Sequence, residues 1–125
     1  MWIKEDNGVK VFNLDEAEWE PYSDPQFHMR RKVFTSANLT WAMSELPVGT
    51  HFEETHHHPQ EQILHVVQGR MNFECGGKFY DLTPGSIIVI PSDVPHSPNV
   101  VGDENVICIE VFTPCRDYPE SVKKA

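Results

Sequence analysis

Ten prolines and seven glycines are scattered through the 125 residues and cut the chain into short pieces. No window of about twelve residues sustains an apolar repeat of helical period. Most of the pieces are rich in β-branched and aromatic residues, which favour strands. The expected strands are Val9–Asn13, His28–Thr35, Asn38–Leu46, His51–His57, Gln62–Gln68, Arg70–Cys75, Phe79–Leu82, Ile87–Ile90 and Val106–Phe112. Turn signals separate them at Pro47-Val48-Gly49, Gly76-Gly77 and Thr83-Pro84-Gly85. Gly76-Gly77 reads as a tight hairpin. Leu14–Trp19 is expected to form one helical turn, and so is the tail Pro119–Ala125. Many short antiparallel strands in so small a chain imply an all-β sandwich or barrel, here a single domain over 1–125.

Alternation assigns faces. In Val106–Phe112, residues Val106, Cys108, Glu110 and Phe112 share one face and Ile107, Ile109 and Val111 the other. Both faces are largely apolar, so this strand is expected to be central. Glu110 on its inner face then needs a partner, because a lone buried carboxylate is costly. A structural ion pair with Arg30, Arg31 or Lys32 would satisfy it, and so would a role in proton transfer. Cys108 on the same face reads as a small core residue.

Charge narrows the partners. Ten basic residues against nineteen acidic ones give a net charge of −9. Such a surface repels phosphate backbones and anionic lipid, so no nucleic acid and no membrane is expected as a partner. A local basic pocket can still receive a small anion. Three cysteines suit a reduced compartment better than a disulfide framework. The first ten residues turn polar at once, and the longest purely apolar run is Ile87 to Ile90. A cytoplasmic location is expected.

The histidines carry the chemistry. Four of the seven lie between His51 and His58. On a strand, His56 and His58 project from one face, and two imidazoles there can converge on one metal ion. His57 points away from them. Gln62 opens the next apolar piece. His96 follows Pro91-Ser92-Asp93-Val94-Pro95, where Pro95 presets the backbone. Taken singly, each of these histidines reads equally as a surface or rim residue, and Gln62 as an ordinary polar one. Nothing in the sequence suggests a Ser-His-Asp or Cys-His device, and no glycine-rich phosphate loop appears in it.

The segment Gly49-x6-His56-x-His58-x3-Gln62-x6-Gly69 resembles the first motif of the cupin superfamily. The segment Gly85-x5-Pro91-x4-His96-x2-Asn99 resembles the second. That resemblance implies a small jelly-roll (double-stranded β-helix) barrel with motif 1 at 49–69 and motif 2 at 85–99. It implies one divalent transition metal ion per chain, held by His56, His58, Gln62 and His96. The first glycine-to-histidine gap is one residue longer than usual, Asp93 replaces a common glycine, and Asn99 falls one residue early. Many cupins carry glutamate where this chain has Gln62. Glu61 is the rival fourth ligand, which alternation places on the opposite face. Three imidazoles and an amide leave the dipositive charge uncompensated, which strengthens the Lewis acid and attracts anions. Such donors suit Zn, Fe, Ni, Co or Mn.

Among cupins, glutamine at this position resembles the KdgF type, which opens 4,5-unsaturated uronates to linear keto acids. It also resembles the BacB-type isomerases and the zinc polyketide cyclases. The run Glu110-Val111-Phe112-Thr113-Pro114-Cys115-Arg116 is similar to the end of KdgF-type chains, with Glu110 in place of their aspartate. The resemblance implies Glu110 and Arg116 as catalytic residues and Phe112 and Arg116 as substrate-binding ones. The expected function is that of a metal-dependent isomerase or lyase-type enzyme acting on a small carboxylate, and the expected assembly is a homodimer. An iron-dependent dioxygenase and a non-catalytic sugar-acid binding cupin are the alternatives.

Overall fold

The computed structural model describes residues 4–21 and 27–116. The expected helical turn in the tail 119–125 lies outside the described residues. Among the described residues twelve strands follow in order: β1 Lys4–Asp6, β2 Val9–Val11, β3 Glu20–Pro21, β4 Arg30–Thr35, β5 Thr40–Leu46, β6 Glu61–Gln68, β7 Arg70–Cys75, β8 Lys78–Leu82, β9 Ile87–Ile90, β10 His96–Ser97, β11 Val100–Val101 and β12 Val106–Thr113. There is no helix among the described residues.

Six strands form one sheet in the order β3-β4-β5-β12-β6-β9. The smaller sheet centres on β7, with β8 on one side and the short β10 and β11 on the other. Every pairing is antiparallel. This is an all-β jelly roll. β12 is central, between β5 and β6, as its two apolar faces predict.

Turn chemistry sets the registers. Asn7 and Gly8 both have positive φ, which a two-residue turn between β1 and β2 requires. Gly76 and Gly77 do the same between β7 and β8, which makes the predicted hairpin. After β2 the carbonyl of Asn13 accepts from the backbone of Glu16 and Ala17, the single helical turn expected there.

The core lies between the sheets. It gathers Leu46, Leu64, Val66, Met71, Phe73, Leu82, Ile90, Val100, Val106 and Cys108. Each large side chain so buried contributes about 1.5–3 kcal/mol. Phe112 is also buried, at the end of β12 and packed with Val33.

Gly69, between β6 and β7, has φ +80 and no room for a side chain. A Cβ there would stand 2.7 Å from the Asn105 carbonyl oxygen and 3.0 Å from the Val106 Cα. Gly69→Ala is expected to cost about 2–4 kcal/mol, combining left-handed backbone strain with overpacking. For a domain of this size the melting temperature should fall by about 10 °C. Thermal unfolding checks this; an unchanged midpoint contradicts it.

One expected element is absent. Residues 51–57 do not form a strand: His51 makes an isolated bridge with Asn99, and His56 one with His96. The physical reason lies in the partners. Loop 51–60 binds loop 91–96 through a reciprocal His56–His96 backbone pair at 3.0 and 2.9 Å, and Asp93 N–H donates to the His58 carbonyl at 2.8 Å. No continuous neighbouring strand is available to extend the ladder.

Candidate metal centre

The same three backbone bonds bring the histidines together. Ring centroids are 4.5 Å apart for His56–His96, 5.0 Å for His58–His96 and 6.4 Å for His56–His58. Phe73 stacks on His96, and Phe112 meets His58 edge-on. His58 and His96 are buried, whereas His56 sits exposed at the rim. His57 points into solvent beside Asp93. Convergence thus comes from two bridged loops rather than from alternation on a strand.

The ring tautomers are fixed from behind. His58 Nδ1–H donates to the Gln60 carbonyl at 3.0 Å, and His96 Nδ1–H to the Val94 carbonyl at 2.9 Å. A carbonyl can only accept, so Nδ1 of His96 carries the proton and its Nε2 keeps the lone pair; His58 faces an accepting oxygen at each ring nitrogen, and with Nδ1–H on Gln60 its Nε2 keeps the lone pair. Carbonyls commonly anchor metal-binding imidazoles in this way.

Gln62 is buried on the inner face of β6, and Glu61 lies exposed on the outer one. The Gln62 amide nitrogen donates to Glu110 Oε2 at 2.6 Å, which turns its oxygen toward His58 Nε2 at 3.1 Å. In the His58 tautomer with Nδ1–H on Gln60, two acceptors face each other. Two donors bound to one cation at about 2.0–2.1 Å, near a right angle, stand about 3 Å apart. The donor set therefore fits a divalent transition metal. Among the described residues, no three His, Cys, Asp or Glu side chains are gathered closely enough to clasp an ion as they stand. The widest gap is His56–His58, and His56 is the exposed ring.

Protonation supports the same reading. His56 is held down to about 4, by desolvation of its ring first and then by His96, Arg116 and the neighbouring histidines. Desolvation is also the largest cause for His58 and His96, both lowered, with the charge on Arg116 adding to each. All three rings are neutral at pH 7 and available as ligands.

This has a stability consequence. Unfolded histidines take up protons near pH 6.5, about where their ordinary value lies. These folded rings do so lower, so the unfolded state binds more protons in between. The metal-free protein should lose stability as pH falls below about 6.5, with His56 resisting protonation down to about 4. Glu110 is shifted upward and acts in the opposite sense, one carboxyl against three imidazoles. Water screens part of the effect at exposed His56. Melting curves in chelator from pH 7 to pH 5 check the sign; a midpoint that rises on acidification contradicts it.

Glu110 rises from the inner face of β12. Desolvation pushes its pKa up, while the Ser44 hydrogen bond and the charges of Arg116 and Arg31 pull it down. Ser44 Oγ donates to Glu110 Oε1 at 2.7 Å, and Cys108 Sγ is 4.0 Å from the same oxygen. Burial holds the Cys108 thiol far above its ordinary value, so it stays a neutral core residue. Of the cations weighed as partners of Glu110, Arg30 pairs instead with Glu45 at 2.6 Å, and Lys32 donates to the Leu14 carbonyl. Arg31 is buried and acts on Glu110 through its charge.

Arg116 lies past the end of β12. Its backbone N–H donates to Thr40 Oγ1 at 2.9 Å, and its guanidinium stands 5.0 Å over the Phe112 ring. Its charge reaches His56, His58, His96 and Glu110. Ser44 is the site residue that the sequence reading misses. Ser44 follows the inward alternation of β5, opposite Cys108, and that was the available signal.

A profile of the cupin domain matches residues 42–112, more than half of the chain. The chain belongs to the cupin family. This cupin is 26% identical over 115 residues to an acireductone dioxygenase of Bacillus mycoides, covering 88% of its own length and 66% of that relative. It thus spans just under two thirds of the curated relatives it matches. The structure of KdgF from Halomonas sp. superposes with a TM-score of 0.72 and 27% identity, over 85% of this chain and 94% of that one. An RmlC-like cupin from Shewanella frigidimarina superposes at 0.73 with 22% identity, over 85% and 91%, which shows the shared fold.

Proposed function

We propose that this cupin is a metal-dependent enzyme of isomerase or lyase type that opens 4,5-unsaturated uronates to linear keto acids. The observation that carries the reading is Arg116, tied to Thr40 and placed over Phe112, with its charge felt by all three imidazoles and by Glu110. A cation there, beside neutral ligands, selects for an anionic substrate. The likeness to the Halomonas KdgF supports the substrate class.

His56, His58, His96 and Gln62 Oε1 would hold one divalent ion, which supplies Lewis acidity toward the substrate oxygens. Arg116 pairs with the substrate carboxylate through two parallel hydrogen bonds. Phe112 forms the wall against which the sugar lies. Glu110 accepts the proton of the anomeric hydroxyl as the carbonyl forms there and the bond to the ring oxygen breaks. The ring oxygen leaves as an enolate, and Glu110 returns the proton to C4 of the unsaturated carbon pair. The product is a linear keto acid with the same atoms, so no oxidant or water is consumed. Desolvation raises the pKa of Glu110, which suits a group that must give back the proton it takes.

The homodimer belongs to the same proposal. Ile63, Val67, Ile87 and Val89 are exposed together on the outer face of paired β6 and β9, a patch suited to a second copy. Among the described residues no helix is long and apolar enough to cross a membrane.

A second reading has its own support: the curated relatives are named acireductone dioxygenases. Incubating metal-loaded protein with an unsaturated uronate, while following ring opening by NMR and dissolved oxygen by electrode, separates the two. Ring opening at constant oxygen supports the proposal. Oxygen uptake with the ferrous protein and an enediol substrate favours the dioxygenase. Ligand binding with no turnover leaves the non-catalytic binder.

A further inference from the structure

We propose that Glu110, held by Ser44, is a positioning residue that locks the Gln62 amide with its oxygen toward His56, His58 and His96, and so sets the affinity of the site for a dipositive ion. The inference rests on the metal-centre reading and deepens it. An amide has two ends of nearly equal size and opposite polarity. Buried between an imidazole lone pair and a carboxylate, Gln62 has two possible orientations. Turned one way, its NH2 group would satisfy His58 Nε2 and block the site with donors. Turned the other way, its oxygen joins the lone pairs and the site can take a cation.

The hydrogen bonds choose between them. Gln62 Nε2 donates to Glu110 Oε2 at 2.6 Å, the short length of a charge-assisted bond. Glu110 is itself anchored at its other oxygen by the Ser44 hydroxyl at 2.7 Å. Because β12 pairs with both β5 and β6, all three side chains stand on neighbouring strands of one rigid sheet. Ser44 comes from β5, Glu110 from β12 and Gln62 from β6. The result is a directional chain, Ser44 to Glu110 and Gln62 to Glu110, that ends with the Gln62 oxygen 3.1 Å from His58 Nε2. A glutamate at position 62 would need no such lock, since both its oxygens accept. The lock is therefore tied to the amide this chain carries.

The experiment is a Co(II) titration against a competing chelator, with absorption spectra and melting curves, on wild type, Glu110→Gln, Glu110→Leu and Ser44→Ala. Glu110→Gln keeps an oxygen able to accept from Gln62 but adds a nitrogen able to donate to it, so its Co(II) affinity should fall between those of wild type and Glu110→Leu. Glu110→Leu keeps the bulk but removes the acceptor. It should weaken Co(II) binding by about 10–100-fold, as loss of an outer partner of a ligand does, and shift the spectrum. Ser44→Ala should weaken binding several-fold, and it decides the matter if Glu110→Leu does not fold. A Glu110→Leu or Ser44→Ala protein that melts earlier yet binds Co(II) like wild type overturns the proposal. So does a Glu110→Gln protein that loses as much affinity as Glu110→Leu, because the acceptor it keeps would then count for nothing. Wild type that binds no Co(II) overturns the metal centre and the lock together, whereas normal wild-type binding with unaffected variants overturns the lock alone.

Discussion

His58→Ala is expected to reduce metal affinity more than about 100-fold, beyond the 10–100-fold cost of losing a partner outside the ligand set. His58 touches two members of the cluster: it faces Gln62 Oε1 at 3.1 Å and meets His96 edge-on. Its Nδ1–H is already spent on the Gln60 carbonyl, so only Nε2 is offered to the site. His57→Ala, one residue away and solvated, should bind metal like wild type, and so should Glu61→Ala on the outer face of β6. Elemental analysis of untagged protein, with a chelator competition for affinity, checks all three. Full metal content in His58→Ala, or loss of metal in Glu61→Ala, contradicts the assignment.

The second large effect is expected at the end of β12. Glu110→Gln should retain fold and metal while lowering kcat by about 10² or more, because an amide cannot carry the proton. Arg116→Ala should chiefly raise KM, by about 10–100-fold, which corresponds to losing about 1.5–3 kcal/mol of charged hydrogen bonding. It should also ease protonation of the three histidines, since the guanidinium charge opposes it in each. If the two residues were only structural, both variants would melt earlier and lose activity in proportion to unfolding. Melting temperatures measured beside steady-state kinetics on an unsaturated uronate tell these patterns apart.

The sheet strands were legible because each carries its own signal. Lys78–Leu82 and Arg70–Cys75 are joined by two glycines that only a tight turn uses, and β12 announces its central place by being apolar on both faces. The pieces β1, β3, β10 and β11 were not legible as strands, because two- and three-residue ladders are decided by the neighbour and not by their own composition. The same limit explains residues 51–57. Their alternation looked strand-like, yet only His51 and His56 find bridge partners, so the His56–His58 relation is set by loop-to-loop bonds. At the site, histidines and glutamine stand out by type and spacing, whereas Ser44 is an unremarkable residue until the register places it against Glu110. Arg31 was readable only as one of three adjacent cations; its burial depends on which face of β4 turns inward.

The most direct test is a crystal structure of metal-loaded protein soaked with a uronate-like keto acid, with anomalous scattering to locate the ion. One ion should lie among Nε2 of His56, His58 and His96 and the oxygen of Gln62, with His56 turned inward and the ligand carboxylate paired with Arg116. An ion bound elsewhere, or a Gln62 amide whose nitrogen faces the histidines while Glu61 swings in, would contradict the account.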